Sequence, residues 1–189
     1  MNLARENILR RVRVALATPA PRPPAPTDSP IWPPVGDLEQ RFRAEFAMLK
    51  GEMVESLPSF LAGFGKVATD GSECVRQLAG EGNASVRESE LGVTGCDCLI
   101  ARTGSVVLTT RSAGGRALSV LPPVHLVIAR RDQIVPDLAT ALALWRERHG
   151  GRWPSNLTVI SGPSRTADIE KVLVMGAHGP KRLALHFAS

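Results

Sequence analysis

The stretch Val124-His-Leu-Val-Ile-Ala129 is apolar at every position but one and indicates a strand covered on both faces. A helical stretch follows over roughly Pro136 to Arg148, with proline near its first turn, and then the apolar run Leu157-Thr-Val-Ile160. Ser105–Thr109 and Leu183–Phe187 are strand-like in the same way. Strand, helix and strand in succession, joined by short turns, predict an α/β fold built on a mainly parallel sheet.

The preceding part of the chain predicts two helices and two short strands. Between residues 38 and 53, apolar residues recur at spacings of 4, 4, 3 and 4, which indicates a core-facing helix of about five turns. Residues 66–69 and 84–87 are strand candidates, and residues 72–79 between them are predicted to be helical.

Composition and hydropathy are those of an ordinary globular protein. Of the 189 residues, 43% are hydrophobic and 22% are charged. No apolar run approaches the roughly 20 residues that a membrane span needs. Arg10, Arg11 and Arg13 interrupt the amino-terminal stretch where a leader would be apolar. We therefore expect a cytoplasmic protein without a membrane span.

The net charge of +5 is concentrated at the amino terminus. Four arginines against Glu6 give residues 1–16 a charge of 4 − 1 = +3, which leaves 5 − 3 = +2 for the other residues. Tyrosine is absent, and phenylalanine and tryptophan total eight. Nucleic-acid binding needs a clustered basic face with stacking aromatic residues, so the sequence does not favour a nucleic-acid partner.

Three segments are predicted along the chain. Residues 1–17 form a helical arm, and residues 18–35 form a stiff extended linker, because eight prolines fall within residues 18–34. Residues 36–189 form the α/β domain. The arm could dock on its own domain, on a second subunit or on another protein, or it could have no function.

The three cysteines predict buried thiols and no metal site. Cys96 and Cys98 form a CxC pair, but a zinc or iron–sulfur site needs about four ligands and only Cys74 is left. If the pair lies in extended chain, its two side chains point to opposite faces.

Two polar turns interrupt the predicted strands before Val124. The first joins Gly92–Asp97 to the nearby Thr103-Gly104, where the glycines permit positive φ and the side chains can hold the turn. The second, Arg111–Arg116, pairs two guanidiniums with Gly-Gly in a loop that could close over an anion. A purely structural turn is the alternative for each. Their candidate ligand-binding residues are Thr94, Gly95, Asp97, Thr103, Gly104 and Arg116.

A third polar turn, Ser161-Gly-Pro-Ser-Arg-Thr-Ala-Asp-Ile-Glu170, follows the strand at Leu157. Three hydroxyls, a guanidinium and two carboxylates lie within ten residues, and a second turn with His178 follows closely. The predicted strand–turn–helix start is where open α/β sheets bind ligands, although helix capping would also explain these residues. The anion-binding candidates here are Ser161, Gly162, Ser164, Arg165, Thr166 and Gly179. The candidate catalytic residues are His178, Asp168 and Glu170. His125, within an apolar run, is predicted to be a hydrogen-bonded core imidazole.

Five motifs in this order resemble the LUD domain, specifically the lactate utilisation protein C (LutC/YkgG) group, over roughly residues 36–189. They are Gly92-x-Thr-Gly-x-Asp97, Ala101-x-Thr-Gly104, Leu121-Pro-Pro-Val-His125, Ser161–Glu170 and Gly176-x-His-Gly-Pro180. The resemblance implies a three-layer α/β/α sandwich similar to the NagB/RpiA/CoA-transferase-like fold. It also implies a part in oxidising L-lactate to pyruvate together with two iron–sulfur proteins, LutA-like and LutB-like.

The resemblance leaves the role of this subunit open. We expect no cofactor on this chain, because it has too few cysteines for a cluster and lacks a G-x-G-x-x-G fingerprint, so the iron–sulfur clusters belong to the partners. In one hypothesis Arg165 binds the carboxylate of lactate and His178, Asp168 or Glu170 is the base. The alternatives are a non-catalytic assembly or regulatory subunit, and an enzyme that binds a sugar phosphate or a CoA-type anion.

Overall fold

The structure is a computed structural model that describes residues 3–17, 32–110, 116–166, 174–176 and 178–188. The chain divides into two compact units, Met1–Pro33 and Pro34–Ser189. The helices are α1 (Leu3–Leu16), α2 (Leu38–Met48), α3 (Leu57–Leu61), α4 (Glu73–Ala79) and α5 (Leu138–Arg148). The strands are β1 (Glu52–Met53), β2 (Val67–Thr69), β3 (Leu91–Thr94), β4 (Cys98–Ile100), β5 (Ser105–Thr109), β6 (Val124–Ala129), β7 (Ile134–Val135), β8 (Leu157–Ile160), β9 (Arg165–Thr166), β10 (Val174–Met175) and β11 (Arg182–Phe187).

The first unit contains the predicted amino-terminal helix, α1. None of its residues is buried, and the apolar side chains of Ile8 and Val12 are 62% and 47% exposed. The predicted proline-rich linker lies mostly outside the described residues.

The second unit is built around a parallel sheet of five strands in the order β1-β11-β6-β3-β2. One face of this sheet packs against α3 and α4 through a cluster that includes Leu57, Val75, Leu91 and Leu126. The predicted α/β class with a mainly parallel sheet is confirmed.

A second sheet of four strands, in the order β7-β4-β5-β8, covers the other face of the parallel sheet. Phe42 and Phe46 of α2 share one buried cluster with Leu99, Val127 and Leu185, which come from the two sheets. The outer face of the second sheet packs against α5. Because β5 pairs antiparallel with both β4 and β8, the chain that follows β8 turns back beside the start of β5.

Four local predictions differ from the structure. The helix from residue 38 ends at Met48, because Lys50 adopts a positive φ of 68° and Met53 belongs to β1. Residues 84–87 lie in a bend and turn, and the strand instead spans Leu91–Thr94, which the sequence assigned to a polar turn. Strand β8 is only partly buried and belongs to the antiparallel part of the second sheet. The turn after it leads into β9, a short strand, where a helix start was predicted.

In the part of the chain that the structure describes, every helix is too short or too polar to cross a bilayer.

Candidate functional site

Three hydroxyl groups form a hydrogen-bonded chain between β5 and the turn after β8. The hydroxyl of Ser105 lies 2.8 Å from that of Thr103 and 2.8 Å from that of Ser161. Ser105 is almost fully buried, whereas Ser161 is exposed. The antiparallel pairing of Val106 with Ile160 places the two serines opposite each other. The buried hydroxyl of Ser105 therefore links two exposed hydroxyls, those of Thr103 and Ser161.

The serine turn and the histidine turn are joined at Ser164. Its backbone N–H donates to the carbonyl of Pro180 at 2.9 Å, and its carbonyl accepts from the N–H of Gly176 at 2.9 Å. The Ser164 hydroxyl accepts a longer hydrogen bond of 3.3 Å from the backbone N–H of His178. Arg165 pairs in register with Met175 of β10. These bonds join the turn that carries the exposed Arg165 to the turn that carries the exposed His178.

Gly162 and Gly104 bring these turns against the carboxyl end of α2. A Cβ at Gly162, whose φ is 88°, would lie 2.6 Å from the carbonyl oxygen of Leu49 and 3.4 Å from Nη2 of Arg165. A Cβ at Gly104 would lie 2.4 Å from the backbone nitrogen of Phe46. Both turns are thus fixed by backbone packing.

We call this assembly the hydroxyl–arginine corner: Thr103, Ser105, Ser161, Ser164, Arg165 and His178. It lies at the amino ends of the parallel strands, since Leu49 precedes β1 and Pro180 precedes β11. The sequence placed the third turn at a ligand-binding strand end of an open α/β sheet, which would be a carboxyl end. That placement is wrong, because β8 belongs to the second sheet.

The structure separates the first turn into two parts. Thr94, Gly95 and Asp97 precede β4, whereas Thr103 and Gly104 follow it, so the two groups lie at opposite ends of that strand. The N–H of Gly95 donates to the Asp70 carboxylate at 2.8 Å. Asp97 lines a small cleft beneath α5. Thr94, Gly95 and Asp97 are therefore not part of the corner.

The remaining predicted residues are placed as follows. Arg116 is exposed and begins a 3-10 turn, Arg116–Ser119, in which its carbonyl accepts from the Ser119 hydroxyl at 3.0 Å. Gly179 packs against Ser164, with a Cβ position 3.3 Å from the Ser164 Cβ. Asp168 and Glu170 lie outside the described residues, and Thr166 is described only as part of β9.

His125 is a hydrogen-bonded core imidazole, as predicted. It is fully buried, and its Nε2 lies 2.9 Å from the hydroxyl of Thr94, which is also fully buried. Its Nδ1 has no hydrogen-bond partner among the described residues. Desolvation lowers the pKa of His125 to about 4, so the ring is neutral at pH 7. Because the His125 imidazole is fully buried, it packs in the core and cannot contact a ligand at the surface.

Sequence reasoning missed Ser105, the residue that links the two turns. Ser105 begins β5 directly after Thr103-Gly104. The feature of the sequence that could have identified it is a further hydroxyl residue next to this glycine turn. The sequence gives no sign of its pairing with Ser161, because that contact joins residues 56 positions apart.

The thiols of Cys96 and Cys98 are buried on opposite sides of the second sheet, as the CxC spacing predicted. Burial raises the pKa of Cys96 well above its usual value and that of Cys98 to about 11. At pH 8 about one Cys98 thiol in a thousand is therefore ionised. We expect a thiol-specific reagent to titrate at most one thiol rapidly in the native protein, the half-buried Cys74, and three in denaturant.

The matched variant for the thiol titration is Cys74→Ser, which should lose the rapid phase. Rapid titration of two or more thiols in the native protein would contradict the burial of the CxC pair.

Comparison with known proteins identifies relatives of this chain. The family model for the LUD domain matches residues 53–185. Lactate utilization protein C of Geobacillus kaustophilus is 37% identical over 102 residues, which cover 53% of this chain and 42% of that protein. Lactate utilization protein C of Bacillus subtilis is 35% identical over 111 residues, covering 56% and 46%. The chain thus aligns with less than half the length of these relatives.

A solved structure shares the fold. The crystal structure of a DUF162 family protein from Deinococcus radiodurans superposes with a TM-score of 0.54 and 20% sequence identity. The superposition covers 80% of this chain and 96% of the other. At this level of identity the similarity shows the fold alone.

Proposed function

This chain belongs to the LUD domain family, and on that premise we propose that it takes part in lactate utilisation by binding a small carboxylate at the hydroxyl–arginine corner. The role in lactate utilisation is proposed from the names of its relatives. The observation that supports the site is the set of hydrogen bonds at Ser164, which joins the turn that carries Ser161 and the exposed Arg165 to the turn that carries the exposed His178.

The chemistry of these side chains suits a 2-hydroxy acid. A guanidinium offers a planar fork of N–H donors to a carboxylate, and Arg165 is exposed at the corner. The hydroxyls of Ser161 and Ser164 lie on either side of Gly162 and Pro163 and can bind the substrate hydroxyl. The corner thus provides a positive charge and neutral hydrogen-bonding groups for L-lactate.

Oxidation of L-lactate to pyruvate removes two protons and two electrons. In this proposal His178 accepts the hydroxyl proton, with Asp168 and Glu170 as the alternative bases, and the hydrogen on C2 of lactate leaves as the second proton, to water. Iron–sulfur clusters on LutA-like and LutB-like partner proteins in the cytoplasm would accept the two electrons, and this chain itself would hold no cofactor. Its own residues bind and orient the substrate and take up a proton.

Calorimetric titration of the protein with L-lactate tests the site. We expect saturable heat with the wild-type protein and binding weakened by more than about tenfold in Arg165→Ala, because a charge-assisted pair is lost. Arg165→Lys keeps the charge but loses the fork, so it should give an intermediate affinity.

Arg87→Ala is the matched control, because Arg87 is also an exposed arginine of the same unit but lies in the turn before β3. It should bind L-lactate as the wild-type protein does. Equal affinities of wild type and Arg165→Ala would refute the carboxylate site.

The second candidate is an assembly subunit without chemistry of its own. The apolar side chains exposed on α1, which include Ile8 and Val12, favour it because they are free to contact another protein. Stable co-purification with the iron–sulfur proteins, combined with no heat from lactate or pyruvate, would support this function over the first.

A further inference from the structure

A polar cavity of about 200 Å³ lies at the carboxyl ends of β1, β6 and β11. Its lining includes Met53 and Phe187, which end β1 and β11, and Arg131, which follows β6 by two residues. Carboxyl ends of parallel strands are where open α/β sheets bind ligands. The hydroxyl–arginine corner lies at the other end of the same strands, about 20 Å away along the six residues of β11.

Two arginines are held at this cavity by one aromatic ring and one carboxylate. The guanidinium carbons of Arg43 and Arg131 lie 5.1 Å and 5.2 Å from the centre of the buried Phe187 ring. Glu39 accepts from Nη2 of Arg43 at 2.8 Å and from Nε of Arg131 at 3.0 Å. Together with Glu55, which also lines the cavity, Glu39 balances the two cations, 2 − 2 = 0, so the site becomes positive only where a ligand displaces Glu55. The shared partners fix both guanidiniums in place.

His186 adds a nitrogen of defined role to the cavity lining. Its Nδ1 lies 2.8 Å from the carbonyl oxygen of Val54, which can only accept, so Nδ1 carries the hydrogen. Nε2 therefore has the lone pair in the neutral ring and can donate when the ring is charged. The cavity thus combines guanidinium donors with an imidazole nitrogen.

Glu55 is weakly held at the cavity. Its carboxylate lies 3.8 Å from Nη1 of Arg43 and is 87% exposed, so the pair contributes little and an incoming anion can displace it. The Glu55 carboxylate therefore lies where the anionic group of a ligand would bind, but it does not fill the cavity.

We propose that this cavity is a second binding site, for a small oxyanion such as a carboxylate or phosphate. The anion pairs with the guanidiniums of Arg131 and Arg43, and a second polar group of the ligand meets Nε2 of His186. A volume of about 200 Å³ leaves room for a compact acid or a phosphate. This inference does not depend on the corner being a lactate site.

Calorimetric titration with inorganic phosphate and with acetate tests the proposal, carried out on Arg165→Ala so that the corner does not contribute. We expect saturable heat with at least one anion, and the anion that binds more tightly identifies the class of ligand. Arg131→Ala added to this background should weaken binding by more than about tenfold. Glu55→Gln should strengthen it by about two- to threefold, because the competing carboxylate is removed.

If Arg131→Ala fails to fold, the effect of Glu55→Gln on anion affinity still tests the site, because the exposed Glu55 side chain can be replaced without disturbing the core. His186→Asn retains a donor toward Val54 and removes Nε2, so it should weaken binding while the protein stays folded. Arg87→Ala is the unchanged control. The second site would be refuted if neither anion gave saturable heat, or if Glu55→Gln and His186→Asn left the anion affinity unchanged. Either result would leave the proposed lactate site at the hydroxyl–arginine corner unaffected.

Discussion

Replacing Gly104 with alanine is expected to lower the free energy of unfolding by about 3 kcal/mol, from left-handed strain and overpacking together. Gly104 has a φ of 58°, and a Cβ there would lie 2.4 Å from the backbone nitrogen of Phe46 and 2.8 Å from its Cα. Neither backbone atom can move away without displacing α2, which carries the fully buried Phe42 and Phe46. Urea denaturation followed by circular dichroism measures the loss.

Gly150→Ala is the matched control for this substitution. Gly150 has nearly the same φ, 57°, but nothing lies within 4 Å of its Cβ position. It should therefore show only the cost of the left-handed backbone, about 1 kcal/mol. Similar losses in the two variants would show that the Gly104 turn does not pack tightly on α2.

The second large effect is a loss of stability in acid that depends on His125. Burial lowers its pKa in the folded protein to about 4, whereas an unfolded histidine has a pKa near 6.5. Above pH 6.5 the ring is neutral in both states. As the pH falls from 6.5 through 4, the unfolded chain binds the proton first, so folding loses about 3 kcal/mol of stability.

Denaturation midpoints at pH 7.5 and pH 4.5, compared between wild type and His125→Gln, measure this contribution. The variant should be less stable at pH 7.5 but should lose less stability on acidification. Nitrogen-15 spectra of the wild-type imidazole provide a second measurement, and the His125 ring should stay neutral down to pH 5. Protonation of that ring near pH 6.5 in the folded protein would contradict its burial.

Much of the strand pattern could be predicted from local sequence. The boundaries of β5, β6 and β8 agree with the prediction, because runs of branched apolar residues end at polar or proline-containing turns. Strand β3 was missed because it contains Gly92, where the Leu118 carbonyl approaches too closely for a side chain. That contact comes from a residue 26 positions later and leaves no local signal.

The candidate site could be predicted only in part, because its assembly depends on strand register. The serine turn and the histidine turn are close in sequence, and the structure joins them by hydrogen bonds at Ser164. The pairing of Ser105 with Ser161 depends on the antiparallel register of β5 and β8. The separation of Asp97 from Thr103 depends on β4, a strand of three residues that was not predicted from the sequence.

The carboxyl-end cavity could not be predicted from sequence. Arg43 lies in α2, Arg131 lies in the 3-10 turn after β6, and His186 lies in β11. Only the parallel order β1-β11-β6 and the packing of α2 on that sheet bring these residues together.

A crystal structure of the protein grown with L-lactate tests most directly whether the hydroxyl–arginine corner is the lactate site. We expect the lactate carboxylate to lie within hydrogen-bonding distance of the Arg165 guanidinium and the lactate hydroxyl to face Ser161 or Ser164. Lactate bound only between Arg43 and Arg131, or an empty hydroxyl–arginine corner at saturating lactate, would show that the corner is not the lactate site.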